Sequence, residues 1–183
     1  MDSIMKPVET IERREVEEVG VYFQVVRWMH REAELLDALK EREWLDSMIS
    51  PEIVYQVPVR QSVSRAFGSG FLKGAYHLDE TYGSLAAKVA RNETGFAWAE
   101  DPPSRVRHFI SNVRVYEHET QGHLAVRSNM LIYRSRGEQI TPSLFSGERH
   151  DVLVQEHGSL RLRERIVYLD ATVIGSHNLA IFF

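Results

Sequence analysis

The 183-residue chain contains no cysteine, and that absence removes several chemistries together. No disulfide can form. Thiolates hold ordinary iron–sulfur clusters, and even a Rieske centre, in which two histidines replace two cysteines on one iron, needs two thiolates on the other. Zinc sites of the Cys-rich type and a cysteine nucleophile are excluded in the same way. No stretch approaches the ~20 consecutive apolar residues of a membrane-spanning helix. The opening segment, MDSIMKPVETIERREVEEVG, has no apolar run of signal-peptide length and carries acidic residues that transit peptides avoid, so a cytoplasmic location is expected. Basic charge is not in excess either. With 22 Lys and Arg against 26 Asp and Glu, a formal net charge of -4 and no basic run, nucleic acid is not an expected partner, and no membrane role is.

Familiar ligand motifs are missing as well. The glycines at 68, 70 and 74 do not follow the G-x-G-x-x-G order and precede no βαβ pattern, which removes a nucleotide reading. Eight histidines are present, yet none forms H-E-x-x-H. His118 and His123 flank a Gly-containing turn, HETQGH, and read as surface residues. A dispersed site of two histidines and a carboxylate for iron(II) is the competing reading. No internal repeat is visible.

What is there suits one soluble domain, with 43% hydrophobic, 26% charged and 10% aromatic residues. Residues 1–19 are charged and poor in large apolar side chains, so they read as an N-terminal arm, with a single domain over 20–183. From Gly20, residues Tyr22, Val26, Met29, Ala33, Leu36 and Leu39 recur at helical spacing and predict one buried stripe. Trp44, Leu45 and Met48 predict a short second helix that Pro51 ends. Ile53, Tyr55 and Val57 alternate with Val54 and Gln56 as a first strand stopping at Pro58, and QSVSRAFGSGFLKG reads as a long loop. A third helix is predicted from about Asp79, with Leu78, Tyr82, Leu85 and Val89 on one face and Asp79 and Glu80 at its start. Strands are predicted at 106–117, 123–136, 140–155 and 159–170, before a final apolar run to Phe183. Strands following one another without helices between them predict hairpins, an antiparallel sheet and an α+β class, a curved sheet wrapped over N-terminal helices. In 123–136, Leu124, Val126, Met130 and Ile132 fall on one face and Ala125, Leu131 and Tyr133 on the other, so neither face is cleanly polar. Either strong curvature buries parts of both faces, or other subunits cover the remainder.

Residues 97–113, AWAEDPPSRVRHFISNV, resemble the small (β) subunits of aromatic-ring-hydroxylating dioxygenases of the biphenyl and ethylbenzene type. REAELLD followed by EWL, SNMLIYRSR at 128–136, FSGERHDVL at 145–153, RERIVYLDA at 163–171 and NLAIFF at 178–183 follow in that family's order. The resemblance spans most of the chain from about residue 28. It implies a nuclear-transport-factor-2-like (NTF2-like, cystatin-like) fold, with three small subunits forming a central trimer. It further implies a hexamer with three large (α) subunits, each of which holds a Rieske cluster and a mononuclear iron. In such complexes a reductase and a ferredoxin supply NADH-derived electrons, and both atoms of O₂ enter an arene as a cis-dihydrodiol. The implied role of this chain is a non-catalytic scaffold in aromatic hydrocarbon catabolism, with no cofactor of its own.

Within the first of those segments, Trp98, Asp101, Arg105, Arg107 and His108 bring charges beside Pro102 and Pro103. Asp101 or His108 as a general base is one reading. Arginine–carboxylate hydrogen bonds within the fold or across a subunit boundary are the favoured one. Arg149 with Asp151, and Arg163, Glu164 and Arg165, read the same way, the bland alternative being solvated surface pairs. Phe182 and Phe183 need a buried home, in the chain's own sheet or at a boundary. Two competing functions stay open. One is a stand-alone isomerase or dehydratase with a pocket of Tyr55, His77, Asp79, Tyr82 and His108, and the other is a binding protein for small apolar molecules.

Overall fold

The computed structural model describes residues 14–64, 68–93, 103–138, 140–174 and 181–183. Two helices come first, α1 (Val19–Asp37) and α2 (Glu41–Met48). β1 (Ile49–Arg60), β2 (Phe71–Glu80) and α3 (Tyr82–Glu93) follow. The second half is strands alone: β3 (Arg105–Glu117), β4 (His123–Ser135), β5 (Ser143–Glu156) and β6 (Ser159–Leu169). They form one six-stranded sheet in the order β2-β1-β6-β5-β4-β3. The α+β class and the hairpin meander from β3 to β6 are as expected. The sheet is not wholly antiparallel, because β1 lies parallel to β6, with Tyr55 opposite Arg165. That pairing carries the first strand back against the last one and needs the whole intervening chain as its crossover.

Several local expectations are corrected. β1 does not stop at Pro58 but runs to Arg60, with register shifts on both sides of the proline. Pairing with β6 ends at Gln56, so beyond it β1 has one paired neighbour and the missing Pro58 N–H is not required on the other side. The Gly/Ser-rich stretch is only partly loop, since β2 starts at Phe71. Leu78, Asp79 and Glu80 belong to β2 rather than to the third helix. That helix starts with reciprocal bonds between Thr81 and Ser84, in which the Thr81 N–H donates to Ser84 Oγ (2.9 Å) and the Ser84 N–H to Thr81 Oγ1 (3.4 Å). β5 begins at Ser143 rather than 140, and Ile140 is exposed.

The core lies between the helices and one face of the sheet. The α1 stripe is Val25, Trp28, Met29, Glu32, Leu35 and Leu36, so it is rotated from the expected one, and Tyr22 and Leu39 are exposed. The Trp28 indole N–H donates to the Leu160 carbonyl (2.9 Å), fixing α1 over β6. Trp44, Leu45 and Met48 are buried as the spacing of α2 predicts. Gly147 marks the closest approach of β5 to β6, because a Cβ there would stand 2.5 Å from the Tyr168 carbonyl oxygen. Residues 14–16 do not hang free as an arm. Glu15 bridges to Tyr116, and the Val16 N–H donates to the Val115 carbonyl (2.9 Å), extending the β3 edge.

Candidate functional site

Glu32 interrupts the apolar stripe of α1, and the sheet beneath it supplies the reason. On β5, Arg149 and Asp151 point to the same face, and Asp151 stands opposite Arg165 of β6. All four side chains are buried. Arg165 uses its five N–H donors in five bonds. Nε and Nη2 fork onto the two Asp151 oxygens (2.8 Å each), Nη1 and Nη2 donate to the two Glu32 oxygens (2.9 Å each), and Nη1 also donates to the Phe183 main-chain oxygen (2.7 Å). Glu32 accepts two further bonds, from Arg149 Nη1 (3.2 Å) and the Trp44 indole (3.2 Å). Two carboxylates and two guanidiniums leave the centre formally neutral, which is the condition for burying charge at tolerable cost. Arg149 is less well served: among the described residues its Nε and Nη2 have no hydrogen-bond partner, and Asp151 lies 3.7 Å away.

The electrostatics follow from this packing. Burial by itself would raise the Glu32 carboxyl, but the attraction of Arg165 and Arg149, with hydrogen bonds from Arg165 and Trp44, outweighs it and holds the group at about 2. Burial lowers Arg149, with Arg165 adding repulsion. The same burial cost on Arg165 is exceeded by Asp151 and Glu32, so its affinity for the proton rises further. Tyr55 is pushed up to about 12, mainly by burial. Glu32 therefore stays ionised and Tyr55 neutral at neutral pH, which suits a structural centre better than proton transfer.

Residues 181–183 close over this centre, and all three are buried. The Tyr55 hydroxyl donates to the Phe183 oxygen (3.0 Å) and accepts the Phe183 N–H (2.6 Å). The Phe183 ring meets Phe145 edge-on at 5.9 Å, and Phe182 packs on Trp44 at 4.6 Å. His108 completes the latch. Its Nδ1 and its main-chain N–H both lie against Asp37 Oδ1 (2.7 and 3.0 Å), while Nε2 faces the Phe182 carbonyl (3.0 Å).

The residues singled out in the sequence thus separate into groups. Arg149, Asp151, Arg165, Phe182 and Phe183 meet in one buried cluster, so solvated surface pairs are ruled out for those arginines. Arg163 does pair near the surface, with Glu52 at 2.7 Å. Arg105 donates to the Gly137 carbonyl (2.9 Å) and Arg107 reaches Asp37 (3.5 Å), both at the surface. Trp98 and Asp101 lie outside the described residues. Of the residues named for an enzyme-like pocket, Asp79 accepts a bond from Gln56 (3.0 Å) near the surface, whereas Tyr55 and His108 each hold a main-chain atom of the tail. The His118 and His123 rings lie 5.3 Å apart, and His118 Nδ1 accepts the Thr120 N–H. Among the described residues no group of three or more His, Asp or Glu side chains is placed to hold a metal ion. The residues missed in the sequence are Glu32 and Asp37. A carboxylate on the buried side of an amphipathic helix was the available signal for Glu32.

The face of the sheet opposite the helices carries a second feature. Phe109 stands opposite Leu131, and Tyr133 opposite Leu144, giving a row of exposed large apolar side chains across β3, β4 and β5. Further along, a bulge in β3 at Asn112 (φ 53°) opens a polar cleft of about 600 Å³ lined by Glu15, Arg114, Arg127 and Glu148 among others.

A six-stranded curved sheet closed by helices on one face defines the NTF2-like class. Residues 31–176 match the family described as ring hydroxylating beta subunit, and the chain belongs to that family. A chain of naphthalene 1,2-dioxygenase, solved with indole bound in the active site, aligns with a TM-score of 0.80 at 25% identity, covering 93% of this chain and 90% of that one. The beta subunit of benzoate 1,2-dioxygenase from Burkholderia mallei aligns at 0.64 and 21%, covering 85% and 93%. The fold is shared more widely: a protein described as a putative scytalone dehydratase from Novosphingobium aromaticivorans aligns at 0.63 and 13%, covering 87% and 91%.

Two tests follow from the buried centre. Because the Glu32 value of about 2 lies below the ordinary 4.5, its stabilisation is complete above pH 4.5 and is lost as pH falls towards 2, a contribution on the order of 3 kcal/mol. Glu32→Gln, which leaves two buried arginines short of a counter-charge, should cost about 3–5 kcal/mol at pH 7 and flatten the acid limb of stability, measured by urea unfolding at several pH values. Deleting residues 181–183 should abolish soluble folded protein rather than assembly alone, read by solubility and circular dichroism. A truncated chain with unchanged melting would show that the tail is not part of the core.

Proposed function

We propose that the chain is the non-catalytic small subunit of the terminal oxygenase component of an aromatic-ring-hydroxylating dioxygenase. The observation that carries this reading is the filled interior. The polar groups that would serve an active site, Tyr55, His108 and Arg165, are engaged by the main-chain atoms of residues 182 and 183. The family supports membership of an oxygenase complex. With no cysteine in the chain, its residues do not fit a Rieske cluster, so that cluster is assigned to a large subunit, and the resemblance assigns the mononuclear iron there as well. The complex would add both atoms of O₂ to an arene as a cis-dihydrodiol with NADH-derived electrons, in aromatic hydrocarbon catabolism in the cytoplasm. The biphenyl and ethylbenzene type is favoured by the segments that open the resemblance. Three small and three large subunits form the proposed hexamer, and the exposed row Phe109, Leu131, Tyr133 and Leu144 is consistent with a covered face.

An independent isomerase or dehydratase on this fold, and a carrier of apolar ligands, would both need the space that Phe182 and Phe183 occupy. Expression with and without the large subunit separates these readings. The chain alone should bind no stoichiometric iron after purification with ferrous iron, whereas the co-purified complex should contain iron and scatter light as six chains. Tightly held stoichiometric iron in the isolated chain, or failure to co-purify with the large subunit, would overturn the proposal.

A further inference from the structure

The polar cleft at the β3 bulge gathers groups that the fold itself leaves unused. Ser111 is in register with Asn129 and Arg114 with Arg127, so Asn112 and Val113 have no register partner and Ser128 has none on β3. Ser128 lines the cleft and is 1% exposed, yet its hydroxyl has no hydrogen-bond partner among the described residues. On its other side Ser128 stands opposite Arg149 of β5, whose Nε and Nη2 are likewise unpartnered there. Directly opposed residues share one face of a sheet, with Cβ atoms ~5 Å apart. Arg114 and Arg127 also line the cleft, and they oppose each other across β3 and β4. Like charges so placed destabilise a sheet. Neither arginine has an ion pair among the described residues, and Arg127 lies over the Tyr116 ring at 5.9 Å. Two carboxylates line the cleft as well: Glu148 lies 3.0 Å from His150 Nε2, and Glu15 is exposed beside its bridge to Tyr116.

We propose that this cleft binds a small organic monocarboxylate, with its head group between Arg114 and Arg127 and the Ser128 hydroxyl as the buried anchor. Charge sets the ligand class. A carboxylate accepts forked bonds from guanidinium groups and relieves the opposition of the two arginines, whereas a cation would add to it and a neutral ligand would leave it in place. Arg149 behind Ser128 adds a third positive group on the same side. Glu148 and Glu15 work against a second negative charge, which favours monocarboxylates over dicarboxylates. A volume of about 600 Å³ is that of a small-molecule site, with room for a ring-sized body against Tyr22 and Val113. The site lies apart from the ion pairs of the buried centre, and the proposal stands whether or not the chain is an oxygenase subunit.

The test is calorimetric titration of the full chain at fixed ionic strength with benzoate, and with benzamide as its uncharged isostere. Benzoate should saturate one site, and benzamide should bind about tenfold more weakly or worse. Arg114→Gln and Arg127→Gln should each weaken benzoate about tenfold with wild-type melting by circular dichroism. Glu148→Gln, which leaves both arginines in place, should tighten it and keeps the proposal testable should an arginine variant fold poorly. Ser128→Ala should weaken benzoate without lowering the melting temperature, because it removes a buried hydroxyl that the fold leaves unpartnered. Equal affinity for benzoate and benzamide, no saturation by roughly 10 mM, or unchanged benzoate binding in both arginine variants would each overturn the assignment. A Ser128→Ala chain that melts lower but binds as the wild type does would show that the hydroxyl serves the fold, and would overturn its role as anchor.

Discussion

The structure hangs on one guanidinium. Arg165 ties together a helix (Glu32 of α1), the neighbouring strand (Asp151 of β5) and the tail (Phe183) with five buried hydrogen bonds. Its strand is also the joint of the sheet, the one that lies parallel to β1 and antiparallel to β5. A charge so placed cannot be left unpaired, so the position of α1 over the sheet, the burial of Glu32 and the docking of the tail are conditions on one another. Apolar packing supplies most of the stability, through Trp44, Met29, Leu153 and their neighbours, while the ionic centre selects which arrangement of helix, sheet and tail is adopted.

A curved sheet closed by helices can enclose a reaction space, and proteins with quite different descriptions share the shape. Here Phe182 and Phe183 are buried against Trp44 and Phe145, and Tyr55, His108 and Arg165 bond the main chain of residues 182 and 183. Exposed apolar side chains gather in the row from Phe109 to Leu144 and at Val19 and Phe23 in the first turns of α1.

Much of this was legible in the sequence. The four strands of the second half were readable because each is a run of more than ten residues rich in strand-forming side chains, alternating over most of its length and bounded by polar turns, and α2 because Trp44, Leu45 and Met48 fit one helical face. β2 was not, because its residues are half-buried or exposed nearly throughout, so no period-2 signal stands out and Leu78 reads equally well as part of the helix that follows. The parallel pairing of β1 with β6 depends on a contact more than a hundred residues apart, which no local pattern encodes. Of the site, Arg149, Asp151 and Arg165 were visible as charges in strands but not as buried ones. Their burial depends on Glu32, and a stripe traced through apolar positions alone passes over it.

The most direct measurement is native-state hydrogen exchange at the Phe183 amide, whose N–H donates to Tyr55 inside the core. If the tail is an integral part of the ionic centre, this amide exchanges only by global unfolding, with an opening free energy equal to that of the core strands, within the ~5–15 kcal/mol of an ordinary domain. Exchange at the rate of a frayed chain end, with opening close to zero while β5 and β6 stay protected, would contradict the claim that tail, helix and sheet are held by one interaction.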